Sequence, residues 1–245
     1  MDKNTVLIAT ITLLTGFIAG FLVANSVNRA EVNAIRSTVA ASAASTTGAT
    51  QALGSDSTLS PEEIKSKIAE ADKNPTNFSF QKNLGIALYR YGAMKQDEAV
   101  IAESARILAR AKSVDAKDFD VLVALGNAYF DLGFAKKDPQ GFDKARAEYA
   151  RALAIRDDAD VRTDVGISYF VQDAPDLARS ASELEKVIAA NSRQDRAIQF
   201  LAQVYIKQNR LADADKIIGR LKDTSPGDPA IDDLTKQLAQ ARTGK

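Results

Sequence analysis

The sequence predicts an all-α protein, in which a single N-terminal transmembrane helix precedes a solenoid of about four helical hairpins with capping helices. Three observations predict this fold. A run of nineteen residues near the N-terminus carries no charge. A phrase of one large, one small and another large residue recurs four times at helical spacing further along the chain. Each recurrence is followed by a second helical stripe of apolar or small residues.

The uncharged run, Val6 to Ala24, predicts a membrane-spanning helix. At about 1.5 Å per residue it matches the roughly 30 Å of a bilayer core. A cleaved signal peptide is the alternative, but its apolar core is usually about 7 to 15 residues, and no small-x-small cleavage site follows directly. Gly16 and Gly20 have the GxxxG spacing of helix dimers in lipid, which predicts a homodimer contact unless they only reflect the usual composition of membrane helices.

The next segment predicts a flexible linker. Residues 37–60 are nearly all Ser, Thr, Ala and Gly, with Asp56 as the only charge, so they bury too little apolar surface to fold. The expected domains are a membrane anchor with a juxtamembrane helix at 1–36, the linker at 37–60 and a repeat domain at 61–245. The charges that flank the span leave its orientation open.

A folded region is predicted to begin at residues 60–63. Ser60 fits a helix N-cap, Pro61 fits the first helical position, and Glu63 completes a capping box. Residues 61–73 predict a solitary helix that covers the first hairpin. At the other end, residues 230–242 predict a polar amphipathic helix that solvates the open end of the solenoid.

Between these two helices, the repeated phrase predicts the first helix of each hairpin. Its four occurrences share a large, a small and a large residue on one helix face: Leu84-Gly85-x-x-Leu88, Leu125-Gly126-x-x-Tyr129, Val165-Gly166-x-x-Tyr169 and Leu201-Ala202-x-x-Tyr205. The stripes that predict the second helices are Ile101, Ser104, Leu108, Ala111; Phe142, Ala145, Tyr149, Ala152; Leu177, Ser180, Leu184, Val187; and Leu211, Ala214, Ile218, Leu221. The small residue lets the second helix lie close against the first.

The last unit, Asp195 to Asp228, is 34 residues long and contains Pro226 after its second helix. These hairpins resemble tetratricopeptide repeats (TPRs) in period, in the L-G-x-x-Y phrase and in the closing proline. The resemblance covers residues 61–245. The Trp typical of the first helix is absent, Ser180 replaces the Ala of the second helix, and about seven extra residues in each of the first two units should lengthen helix ends or loops.

The resemblance implies a protein-binding groove lined by the first helices. The residues it assigns to the groove are Lys82, Ile86, Tyr89, Arg90, Val123, Asn127, Phe130, Asp131, Thr163, Ile167, Phe170, Val171, Gln199, Gln203, Ile206 and Lys207. Four large apolar side chains, at 89, 130, 170 and 206, would form a row that anchors an extended peptide or a partner helix. The alternative is that some of them pack between neighbouring hairpins.

One specialised use of the groove is not expected. Repeats that hold a partner's terminal carboxylate use paired Lys and Asn on successive first helices. Here Lys82 is followed one turn later by Ile86, and Asn127 is preceded by Val123, so neither unit has the pair.

The composition restricts the functions that remain. The 32 basic and 32 acidic residues cancel, so the chain lacks the positive field that nucleic acid requires. It contains no Cys and no His, which removes thiol nucleophiles, imidazole bases and Cys/His zinc sites. We therefore expect no catalytic residue, metal or cofactor, and we predict that the protein is not an enzyme.

The resemblance extends to bacterial membrane-anchored TPR proteins. It implies a scaffold or assembly factor, held in the inner membrane by one span, whose TPR domain faces the periplasm and whose partners are other proteins and the lipid bilayer. The alternative is a self-assembling structural protein of the cell envelope, in which solenoids stack and membrane helices pair. The identity of the partner is left open, because a fold does not determine a function.

Overall fold

A computed structural model of the chain describes residues 60–244, which form ten α-helices and no β-strand. The helices are α1 (Pro61–Lys73), α2 (Phe78–Lys95), α3 (Glu98–Val114), α4 (Phe119–Lys136), α5 (Pro139–Ile155), α6 (Ala159–Val171), α7 (Leu177–Ala190), α8 (Asp195–Lys207), α9 (Leu211–Thr224) and α10 (Ala230–Thr243). No helix in this range is long and apolar enough to cross a bilayer. The predicted membrane span, its Gly16/Gly20 contact and residues 37–59 of the linker lie outside the described residues.

Most of the helices begin at a polar side chain that caps their free N–H groups. Ser60 accepts from the backbone N–H of Glu63 at 3.2 Å, and the Ser60 N–H donates to the Glu63 carboxylate at 2.8 Å, which confirms the predicted capping box. Five later helices begin after an aspartate whose carboxylate accepts from the first turn: Asp97, Asp118, Asp138, Asp158 and Asp176. The chain thus marks the start of each of these helices locally.

The helices pair as predicted into four hairpins, α2/α3, α4/α5, α6/α7 and α8/α9. In the first three, the glycine of the repeated phrase lies directly under a large side chain of the second helix. A Cβ atom on Gly85 or Gly166 would lie 2.7 Å from the Cγ of Leu108 or Leu184, and a Cβ on Gly126 would lie 2.5 Å from the Tyr149 ring. Glycine is needed there because the second helix occupies the space of a side chain.

The extra residues of the first two units lengthen their helices. Both α2 and α4 have 18 residues, whereas α6 and α8 have 13. The second helices α3 and α5 have 17 residues, against 14 in α7 and α9. Only two residues join the long helices of each hairpin, and the first of the two, Gln96 or Lys137, has a left-handed backbone. The insertions therefore extend the arms of the hairpins and leave the connections short.

The two terminal helices cap the solenoid as predicted. On α1, Ile64 and Ala71 are buried in one cluster with Leu88 and Ile107 of the first hairpin. The side-chain amide of Gln81 ties the end of α1 to α2, because it donates to the carbonyl of Ala71 at 2.7 Å and to that of Asn74 at 2.9 Å. On α10, four apolar residues are buried and the opposite face is mostly polar; the buried residues are Ala230, Ile231, Leu234 and Leu238.

Two serines at equivalent positions of the second helices should differ in how their substitution affects stability. The Ser104 hydroxyl donates to the Gly85 carbonyl at 2.9 Å in the buried contact between α2 and α3. The Ser180 hydroxyl is equally buried but has no hydrogen-bond partner among the described residues. Ser104→Ala should lower the free energy of unfolding by about 1 kcal/mol, whereas Ser180→Ala should leave it unchanged or raise it. Urea denaturation measures both, and an equal loss in the two variants would contradict this account.

Candidate functional site

The sixteen residues assigned to the groove all lie on the first helices of the hairpins, α2, α4, α6 and α8, but they differ in access. Seven of them are buried: Tyr89, Phe130, Asp131, Thr163, Ile167, Phe170 and Gln203. A partner cannot reach these seven side chains in this structure, so the predicted groove is closed at their positions. For the other nine residues, protein binding stays a prediction.

Three of the four residues in the expected row of apolar anchors are buried, which favours the alternative that such residues pack inside the solenoid. The Phe130 ring packs edge-on against Phe142 at 5.4 Å between centroids, and Phe170 packs edge-on against Phe200 at 5.8 Å. Tyr89 is buried between α2 and α4 and donates to Asp131. These aromatic side chains stabilise contacts between helices, because a buried ring removes a large apolar area from water. Only Ile206 of the row stays partly exposed.

An accessible inner surface remains at the N-terminal end of the solenoid. We call it the open surface and define it by five of the predicted residues: Lys82, Ile86, Arg90, Val123 and Asn127. Thr163 and Ile167 of α6 are fully buried beyond it. The remaining accessible residues, Val171, Gln199, Ile206 and Lys207, lie on the far side of this closed part, on α6 and α8.

The cation of Lys82 is already neutralised. Its ammonium group lies 2.8 Å from a carboxylate oxygen of Asp118 and 2.8 Å from one of Asp120. Burial alone would lower the pKa of Lys82, but the hydrogen bonds to these two carboxylates outweigh it and raise the pKa. Arg90, in contrast, is exposed and forms no ion pair within residues 60–244. The open surface thus offers one uncompensated cation.

Asn127 is held in one orientation by a buried tyrosine. The Tyr149 hydroxyl donates to Asn127 Oδ1 at 2.8 Å, so the NH₂ end of the amide is the end that can donate to a ligand. Burial raises the pKa of Tyr149 well above its usual value, which keeps the phenol protonated and able to donate. The sequence placed Tyr149 in a packing stripe but did not indicate this second role.

Two further carboxylates, Asp131 and Asp164, are buried inside the solenoid. Asp131 accepts from the Tyr89 hydroxyl at 3.0 Å, and the buried Asp164 forms an ion pair with the partly buried Arg196. Burial, and the negative charge of Asp164, raise the pKa of Asp131 to about 7, although the Tyr89 hydrogen bond opposes the shift. The pKa of Asp164 is also raised, by burial first, despite Arg196.

Asp164 and Arg196 were absent from the predicted site. A weak signal for Asp164 exists in the sequence, since it lies two residues before the glycine of its phrase, where the second and fourth units have Ala124 and Phe200 and the first has Asn83. A charge at a position that is apolar in two of the three other units indicates a buried partner. Which residue that partner is depends on the stacking of the units.

No cluster of three or more acidic side chains in the described part could hold a metal ion.

Comparison with known proteins identifies the fold. Residues 172–238 match the tetratricopeptide repeat family. A crystal structure of MamA protein superposes with a TM-score of 0.53 at 18% identity, over 67% of this chain and 81% of that one. A thermophilic TPR protein of Thermus thermophilus superposes with a TM-score of 0.51 at 14% identity, over 74% of this chain and 89% of that one. No curated protein matches the chain. At these identities the likeness establishes the fold alone: an all-helical TPR solenoid.

Proposed function

We propose that this TPR solenoid is a non-enzymatic, membrane-anchored scaffold or assembly factor that binds another protein through the open surface. The observation that carries the proposal is the open surface itself, which presents apolar and hydrogen-bonding groups on two packed helices, α2 and α4. Side chains on packed helices need little rearrangement to bind, so less of the binding free energy is lost to ordering.

The chemistry of the open surface indicates what the partner offers. Ile86 and Val123 give apolar contacts on adjacent helices. Arg90 and the NH₂ end of Asn127 can only donate hydrogen bonds, and Lys82 is already engaged by two carboxylates. A suitable partner segment therefore combines an apolar side chain with carboxylate or backbone carbonyl oxygens.

The anchor and the location belong to the same proposal. The uncharged run Val6–Ala24 would hold the chain in the inner membrane, and the Ser/Thr/Ala-rich linker would give the solenoid reach into the periplasm. The lack of His and Cys supports a role in binding and not in catalysis.

One crosslinking experiment tests both parts, because the chain has no cysteine of its own. Val123→Cys places a single thiol on the open surface, and Ala150→Cys places one at an exposed position of α5 as a matched control. A membrane-impermeant maleimide photocrosslinker is added to spheroplasts, and the products are identified by mass spectrometry. We expect one partner to be captured from position 123 several-fold more than from position 150.

Further variants test the role of Arg90 in partner capture and the role of residues 1–36 in membrane attachment. Arg90→Glu should weaken capture about tenfold if Arg90 contributes as interface arginines commonly do, that is about 1.4 kcal/mol. Removal of residues 1–36 should release the chain from membranes. Equal capture from both positions would exclude the open surface, and labelling only after lysis would exclude the periplasmic placement.

A further inference from the structure

Two buried carboxylates lie on the first helices of neighbouring units, and the negative charge of one acts on the other. Asp131 on α4 is 8% exposed, and Asp164 on α6 is 6% exposed. At the position of Asp131 the other units have Arg90, Val171 and Lys207, and all three are more exposed. Only the second unit encloses a charged group at this position.

The charges at this junction do not balance when both carboxylates are ionised. From α2, the neutral Tyr89 hydroxyl donates to Asp131. From α8, the guanidinium of Arg196 already forms an ion pair with Asp164. From α5, Tyr149 is neutral and donates to Asn127. Arg196 is thus paired with Asp164, and Asp131 has no cation of its own. A buried carboxylate without a paired cation favours its protonated form.

We propose that Asp131 is a proton-binding site that controls how tightly the second unit closes against the third. When Asp131 loses its proton, its charge repels that of Asp164 and the helices α4 and α6 separate. Because Val123 and Asn127 of the open surface lie on α4, this movement would change the shape of the surface. Only this last consequence rests on the proposed function.

The direction of the pH dependence follows from the raised pKa. The pKa of Asp131 is about 7 in the folded chain, against an ordinary value of 3.8. Its contribution to stability is therefore complete below pH 3.8 and is lost as the pH rises through about 7. The raised pKa of Asp164 acts in the same direction.

Two matched single-cysteine variants measure how tightly the second unit closes against the third, through the rate at which each thiol is labelled. Ser168 is fully buried on α6, where the Arg146 side chain of α5 donates to its carbonyl and its hydroxyl. Ala87 occupies the same repeat position on α2 but is exposed. The ratio of the labelling rates of Ser168→Cys and Ala87→Cys removes the pH dependence of the thiol itself.

We expect this ratio to rise several-fold between about pH 5.5 and pH 8.5, and to stay constant when Asp131→Asn is added to both variants. A constant ratio in the original chain, or an unchanged rise with Asp131→Asn, would overturn the proposal.

Thermal melting gives an independent measurement on the chain without cysteines. Asp131→Asn keeps an acceptor for the Tyr89 hydroxyl and cannot ionise, so its melting temperature should exceed that of the original chain at pH 8.5 but not at pH 5.5. Asp173→Asn, at an exposed loop position, should change neither value. A lower melting temperature for Asp131→Asn at both pH values would indicate a structural role only. The labelling and melting experiments need no binding partner. The crosslinking experiment can therefore fail while the proton-binding proposal stands, and the proton-binding proposal can fail while the crosslinking experiment succeeds.

Discussion

Gly141→Ala should lower the free energy of unfolding of the solenoid by about 2 kcal/mol or more. A Cβ atom on Gly141 would overlap the Cα of Gly133 on the facing helix and would lie 2.9 Å from its backbone nitrogen. Backbone atoms cannot rotate out of the way as a side chain can. The added methyl group would therefore force α4 and α5 apart at the end where a two-residue turn joins them.

Gly219→Ala is the matched control. Gly219 lies in α9, and a Cβ atom there would have no heavy atom within 4 Å. This variant should raise the free energy of unfolding by about 0.5 to 1 kcal/mol, because alanine loses less backbone entropy than glycine in a helix. Urea denaturation followed by circular dichroism compares the two. Equal stability of Gly141→Ala and the original chain would show that the helices separate at little cost.

The kind of neighbour determines the size of the effect. At Gly126 the added Cβ would meet the Tyr149 ring at 2.5 Å, and at Gly85 it would meet the Leu108 side chain at 2.7 Å from Cγ. Side chains can shift by changing rotamer, so these substitutions should cost less than Gly141→Ala, although they remain destabilising.

The sequence predicts the hairpins well because their packing is periodic. The small residue of the first helix and the large residue of the second recur in all four units, so each unit supports the prediction for the others. Gly133 recurs as Gly92 of the first unit, but Gly141 does not recur, since the first unit has Val100 at the equivalent position. The contact between two glycine backbones therefore belongs to the second unit alone, and the repeat pattern does not specify it.

For the predicted groove, the sequence indicates the position of each residue but not its exposure to solvent. The helix and the helix face of each groove residue follow from the repeat. Access does not, because it depends on how closely successive units stack. Ile86 stays accessible, while Ile167 at the equivalent position of the third unit is fully buried. Stacking is fixed by particular long-range contacts, such as Phe170 against Phe200 and Asp164 with Arg196, which no single repeat encodes.

Arg196→Met should cost about 3 to 5 kcal/mol of unfolding free energy near pH 8. The substitution keeps much of the side-chain volume but leaves Asp164 buried without its ion-pair partner. In the original chain, Arg196 opposes the effect of burial on the pKa of Asp164, so its removal raises that pKa further. A group with a raised folded pKa contributes stability below its unfolded pKa and loses it as the pH rises. The deficit of Arg196→Met should therefore shrink as the pH falls and Asp164 takes up a proton.

Asp164→Asn combined with Arg196→Met separates the lost attraction from the unpaired charge. If the unpaired carboxylate causes most of the loss, the double variant should recover most of the stability at pH 8 and should show little of the pH dependence of Arg196→Met. Denaturant unfolding of the four chains, the original, both single variants and the double variant, gives the coupling free energy at each pH. A double variant as unstable as Arg196→Met at pH 8 would mean that Arg196 stabilises the stacking of α6 and α8 by its packing, and that the charge of Asp164 is tolerated without a cation.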